Sequence, residues 1–180
     1  KYAKDHGLTI KLIARAIKVG EKIYGLVAPQ FIENVHPLSA VRNEFNAVTV
    51  EGAFAEKQLF VGKGAGSFPT GSAVLSDISA LTYDYRYEYK KLHQENQLSF
   101  SNEATVEVVV SFTGPVLVSI ADFEKFKGGF QGNGQQNMQG IVKLEKIREW
   151  SQQEGINVIL APGAVVAPLV SVEKEAFTYA

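Results

Sequence analysis

Apolar and polar residues alternate along much of this chain, the period of strands lying on a core. Between Leu8 and Val19, Ile10, Leu12, Ala14 and Ala16 fall on one face and Lys11, Ile13, Arg15 and Ile17 on the other. The run predicts a strand whose first face is buried and whose second is mixed. A turn at Val19-Gly20-Glu21-Lys22 leads into a second strand over 23–32, giving an antiparallel hairpin, with Pro29 suited to an edge or a strand end. His36-Pro37 forces an extended step within the polar stretch that follows. A second hairpin is predicted from strands over 46–51 and 58–62. From Thr70 the period changes: Ala73, Val74, Ile78 and Leu81 have helical spacing and form the expected buried stripe. Alternation returns over 104–112, and 116–120 reads as extended. A short helical turn is expected over 122–126. Residues 128–139, rich in Gly, Gln and Asn, fit a loop or a sheet-edge segment, and a loop is the expectation. A short strand at 140–142, a helix over 143–153 with Leu144, Ile147, and Trp150 or Ser151 inward, a stop at Gly155 and a buried strand over 157–161 complete the pattern.

The predicted class is α+β: a mostly antiparallel sheet covered by a helix, followed by a small α+β domain. The expected division is 1–93, a polar linker over 94–102, and 103–180. Tyr83, Tyr85, Tyr87 and Tyr89 alternate with charges that cancel, so a connector packed on its neighbours is expected there and not a nucleotide-stacking platform. The opening Lys1-Tyr2-Ala3-Lys4-Asp5-His6-Gly7 reads as the last turn of a helix closed by glycine, as in a span cut from something longer.

Charge and composition narrow the chemistry. The 180 residues carry a formal net charge of −1, which gives no basic surface for nucleic acid and no polybasic membrane patch. No apolar run is long enough to span a bilayer, no secretory signal pattern is present, and a cytoplasmic protein is expected. Cysteine is absent, so disulfides, thiol catalysis and zinc–thiolate sites are excluded. His6, His36 and His93 match no metal-ligand spacing, and no metal site is expected.

The chemically suggestive stretch is Gly62-Lys63-Gly64-Ala65-Gly66, between a strand and a helix. Glycines at alternate positions permit unusual backbone angles and close approach. Pro69 and Thr70 suit the first turn of a helix, whose free N–H groups and partial positive charge favour an anion or a polar carbonyl. A bare connector fits the same residues. The stretch is neither a dinucleotide fingerprint nor a Walker A sequence. Lys63 could meet an anion. Glu51 and Asp77 are available carboxylates, and Ser67 and Ser72 flank the turn without a histidine to activate them. No complete catalytic set is visible.

Taken in order, Phe45-Asn46-Ala47-Val48, Val50-Glu51-Gly52, Gly62-Lys63-Gly64-Ala65-Gly66, Pro69-Thr70, Ser72-Ala73-Val74 and Ser76-Asp77-Ile78 resemble homoserine dehydrogenase. That family has a Gly-Arg-Gly-Ala-Gly turn and a Pro-Thr-Ala-Ser-Ala-Val helix here, so Lys63 and Gly71 are departures. His36-Pro37-Leu38 and the opening residues 3–17 extend the resemblance over 1–82. It implies an oxidoreductase interconverting aspartate 4-semialdehyde and homoserine with NADP or NAD, on the way to threonine and methionine. It also implies a Rossmann-type domain and a Gly-x-Asp-x-x-x-Lys segment with the proton-transfer lysine. Neither is found in residues 1–180, so most of the cofactor site is expected outside this chain and the chain alone is expected to be inactive. What carries over is cofactor contact at Gly64, Ala65, Gly66 and Thr70, and a homodimer formed through the catalytic-domain sheet.

Residues 103–180 stand where family members carry a regulatory domain of the ACT type. Thr105–Val110 suits its first strand, while Thr113-Gly114-Pro115-Val116-Leu117 departs from the family's Asp-x-Pro-Gly-Val-Leu turn. The alternative function is a non-catalytic dimerisation module that binds an amino-acid effector.

Overall fold

A computed structural model describes residues 2–52, 54, 56–83, 85, 98–113, 118–132 and 134–169. The chain divides into two compact units, one formed by residues 1–33 and 97–180 and the other by 34–96. The units are therefore not sequential: the first hairpin belongs with the C-terminal residues and not with the glycine turn. Part of the expected linker, 94–97, lies outside the described residues. The remainder contains β5 (Ser99–Phe100), which pairs in parallel with Lys22 and Ile23.

The first unit opens with α1 (Tyr2–Asp5), closed by Gly7 at φ 65°. β1 (Leu8–Val19) and β2 (Lys22–Glu33) form the expected hairpin in unbroken register from Leu8↔Glu33 to Val19↔Lys22. Its facing is the reverse of the expectation. Leu12 is 75% exposed and Ile10 47%, while Lys11, Ile13, Arg15 and Ile17 are half-buried. β2 decides the matter: Tyr24 and Ala28 enter the core and draw the mixed face of β1 inward with them. The most hydrophobic face of a strand is covered only when its partner strand turns the same way.

The remaining strands are β6 (Ala104–Phe112), β7 (Lys125–Gly132), β8 (Gln135–Lys143), β9 (Ile156–Leu160) and β10 (Ala167–Pro168), with α3 (Leu144–Ser151) between β8 and β9. Sheet order is β1-β2-β9-β6-β8-β7, with β10 on β6. Strands β9-β6-β8-β7 pair antiparallel throughout, the order of a split β-α-β-β-α-β unit. Where such a unit has its first helix, the described residues hold a 3-10 turn at Ile120–Asp122, capped reciprocally by Ser119 and Asp122.

β6 is the centre of the core. Val106, Val108, Val110 and Phe112 face Trp150 of α3, Val142, Leu160, Tyr24 and Ala28. Each fully buried valine contributes about 1.5–3 kcal/mol. The ring of Phe123 lies 5.7 Å from both Phe126 and Trp150, an aromatic row that reaches α3. Gly140 admits it: a Cβ there would stand 2.5 Å from Phe123 Cδ1 and 2.6 Å from the Lys125 carbonyl oxygen. The stretch expected to be a loop, 128–139, is instead most of the β7–β8 hairpin. Its polar side chains pair across strands, as in the Ser111 hydroxyl donating to Asn137 Oδ1 (2.7 Å). The helical turn expected over 122–126 comes earlier and is shorter, because β7 begins at Lys125.

In the second unit, Pro37–Ala40 forms a 3-10 turn whose Leu38 N–H donates to His36 Nδ1. β3 (Phe45–Val50) and β4 (Gln58–Lys63) form an antiparallel pair, and α2 spans Ser67–Leu81. The expected buried stripe of α2 is not covered. The helix has no buried residue, and Val74, Ile78 and Leu81 are 51%, 53% and 71% exposed. The helix that covers a sheet is α3. Val48, Leu59, Phe60 and Val61 are also exposed. A two-stranded pair is marginal in water, and apolar surface of this extent marks a contact face.

Candidate functional site

The glycine turn joins β4 to α2, and three successive residues before or within β3 engage it. The Gly64 N–H donates to the Glu44 carbonyl at 3.0 Å. Lys63 Nζ lies 3.0 Å from Glu44 Oε1 and 5.3 Å from the centre of the Phe45 ring. The carboxamide of Asn46 occupies the place a Gly64 side chain would take. The glycine at 64 therefore makes room for Asn46.

Gly66 is different. Its φ of 119° and ψ of 158° lie in a region that side chains other than glycine's rarely adopt, and it sits at the N-cap of α2. The Thr70 N–H donates to the Gly66 carbonyl at 3.2 Å, closing the first turn. No side chain caps this end. The N–H groups of Ser67 and Phe68 therefore face outward with the positive end of the helix dipole. The geometry fits an anionic or strongly polar group above Gly66, and Gly64, Ala65, Gly66 and Thr70 are all solvent-exposed.

The other candidates separate. Lys63 is engaged by Glu44, so the positive character of the turn comes from the helix end. The Glu44 carboxyl is held below its ordinary value by its own backbone N–H and then by Lys63, against a small opposing effect of burial. Glu51 and Asp77 are exposed, and Ser67 and Ser72 lie on α2. His36 caps the 3-10 turn, His6 stacks on Tyr2 at 4.3 Å in the other unit, and His93 lies outside the described residues. Among the described residues no group of three or more His, Asp or Glu is placed to hold a metal ion. Glu44 and Asn46 were missed as parts of the turn. Their signal was register, since Asn46 stands opposite Gly62 in the β3–β4 pair, two residues from Gly64.

Comparisons with known proteins address this same stretch. The homoserine dehydrogenase family profile matches residues 1–79. The homoserine dehydrogenase of Bacillus subtilis is 46% identical over 85 residues, which are 47% of this chain and 20% of that protein. The enzyme of Corynebacterium glutamicum is 42% identical over 81 residues, 18% of its length. A crystal structure of S. aureus homoserine dehydrogenase matches 90% of this chain and 43% of its own, with 28% identity and a TM-score of 0.51. The enzyme from Thiobacillus denitrificans shares the fold, with a TM-score of 0.59 at 20% identity. The sequence match thus spans about a fifth of the length of the curated relatives, and the structural match less than half of the solved chains. Family profile, curated relatives and solved structures converge: this chain is similar to a partial span of homoserine dehydrogenase, in sequence over residues 1–79 and in fold over most of its length.

Proposed function

We propose that the chain is the cofactor-facing and dimerising part of a homoserine dehydrogenase, an oxidoreductase that interconverts aspartate 4-semialdehyde and homoserine with NADP or NAD. The observation that carries this reading is the placement of the uncapped α2 N-terminus and Gly66 inside the residues that match the family. The nicotinamide cofactor would supply the hydride chemistry. Gly66 lets it approach the backbone, and the N–H groups at the start of α2 favour its charged or polar groups. Ala65 and Thr70 border the same opening. Glu44 holds the turn in shape through its carbonyl and its carboxylate. Residues of this chain bind and orient, and the proton-transfer group belongs to the part of the enzyme outside it.

Exchanging the matched span of the Bacillus subtilis enzyme for residues 1–79 of this chain tests the proposal. The chimera should reduce NAD(P) in the presence of homoserine, whereas the 180-residue chain alone should not. A chimera that folds, as judged by circular dichroism and elution volume, but shows no homoserine-dependent reduction overturns it.

The assembly we propose is a homodimer through the exposed apolar face of the first hairpin. Ile10, Leu12 and Val27 share that face, and they are the kind of surface a partner sheet covers. We further propose a cytoplasmic location. No helix among the described residues is long and apolar enough to cross a membrane.

The strand order β9-β6-β8-β7 favours a second reading, an amino-acid effector module of the ACT type in residues 103–180. The turn that would bear on it, 114–117, lies outside the described residues. Calorimetry with threonine, methionine and lysine separates the readings, and silence from all three sinks the sensor.

A further inference from the structure

The half-buried face of the first hairpin carries a cation, Arg15, that no carboxylate among the described residues neutralises. Arg15 lies on β1, and both its Nε (3.1 Å) and its Nη2 (2.9 Å) donate to one atom, Gln30 Oε1. Gln30 is only 1% exposed, one of two buried polar residues among those described. Its Nε2 donates in turn to the Ala161 carbonyl at 3.5 Å, beyond the end of β9. The core thus holds a neutral amide whose two ends aim a guanidinium. Among the described residues no carboxylate lies within ion-pair distance of Arg15, although Lys22, Lys63, Lys127 and Lys143 each have one and Lys146 has two.

A half-buried guanidinium ordinarily meets a carboxylate, because desolvating the charge costs free energy that a neutral partner recovers only in part. Burial holds Arg15 below the ordinary arginine value with no opposing contribution from an acid. Arginine is also the side chain whose planar donor fork matches a carboxylate with two parallel hydrogen bonds. With Nε and one proton of Nη2 committed to Gln30, the Nη1 side of the fork remains to donate.

We propose that Arg15, oriented by Gln30, is a carboxylate-binding site on the first hairpin. The carboxylate comes from a small acid or amino acid in solution, or from an Asp or Glu of a second copy of this chain. The site lies on the hairpin face opposite Ile10 and Leu12, and it stands independently of the proposed enzymatic activity.

The test follows the Arg15 Nε–H and the Gln30 side-chain amide by nitrogen-15 NMR on the 180-residue chain. Sodium acetate and threonine are added in turn, with sodium chloride as the ionic-strength control. Both signals should shift saturably with acetate and not with chloride. In Arg15→Gln the Gln30 response should vanish. In Arg15→Lys it should weaken by roughly tenfold, because an ammonium lacks the planar fork. If the Arg15 signal instead moves with protein concentration, the carboxylate belongs to a second copy. If it responds to neither acetate, threonine nor dilution while the Val108 and Val110 amides stay protected from exchange, the site does not exist.

Discussion

At the scale of single residues, the glycines of this chain do unlike work. Gly66 is needed for its backbone angles. Gly66→Ala should cost about 1–3 kcal/mol of local strain, and in the chimera it should raise KM for NAD(P) more than it lowers kcat. Steady-state kinetics against cofactor concentration check this. Gly140 is needed for space. Gly140→Ala meets both the Phe123 ring and the Lys125 carbonyl, and the second cannot move without the strand. A loss of about 1–3 kcal/mol in chemical denaturation is expected. Gly64→Ala should be nearly silent in the same assay, since it displaces only the exposed side chain of Asn46. Composition shows all of these as glycine, and only the neighbours distinguish them.

Glu107 belongs to this scale as well. Burial pushes its carboxyl upward. Hydrogen bonds from Lys127 (2.6 Å) and Gln139 (2.8 Å), with the charges of Lys127 and Lys125, outweigh that, and the net shift is downward. A carboxyl lowered on folding adds stability above its unfolded value, and the gain is lost as pH falls through its folded value. Glu107→Gln should therefore flatten the acid side of the stability profile, below about pH 4, and leave the slope near neutrality unchanged. Urea unfolding across pH reads this directly.

At the scale of elements, helix α2 shows what a pattern can and cannot say. The spacing of Val74, Ile78 and Leu81 identified a helix correctly, and its bounds came within three residues of Ser67–Leu81. The same spacing implied burial, and the stripe is exposed. Periodicity reports that a face is apolar and leaves open whether this chain supplies the cover. Ile78→Ser with Leu81→Ser should thus leave the melting temperature of the 180-residue chain within a degree or two, as for surface substitutions generally. In the chimera the same pair should lower it clearly if the rest of the enzyme packs there. The β1–β2 hairpin repeats the lesson: both strands and their turn were legible, but the inward face was not, because Tyr24 and Ala28 of the partner strand decide it. The β7–β8 hairpin was only partly legible, for another reason: residues 140–142 read as strand, and 128–139 fitted a sheet edge but favoured a loop. Gly, Gln and Asn read as loop, and the pairing that makes them strand comes from β6 beyond. At the candidate site the turn and its helix could be read from the glycines, whereas Glu44 and Asn46 needed cross-strand register.

At the scale of the molecule, one apolar hairpin face and one carboxylate-poor cation lie on opposite sides of the same two strands. Leu12→Arg distinguishes fold from assembly. Leu12 is 75% exposed, so the fold should change by no more than about 0.5 kcal/mol. Sedimentation should move from dimer to monomer if the proposed assembly is right, and an unchanged mass would send the search for the interface elsewhere.

The two ends of the large sheet are also unequal. β7, at one end, is interrupted by a bulge between Phe126 and Gly128 and carries Lys125 and Lys127. β1, at the other, runs in unbroken register from Leu8 to Val19. Bulges and lysines blunt an edge against further strands. β1 likewise carries Lys11, Arg15 and Lys18, so cationic side chains stand along both outer strands of this sheet and disfavour its growth by edge pairing.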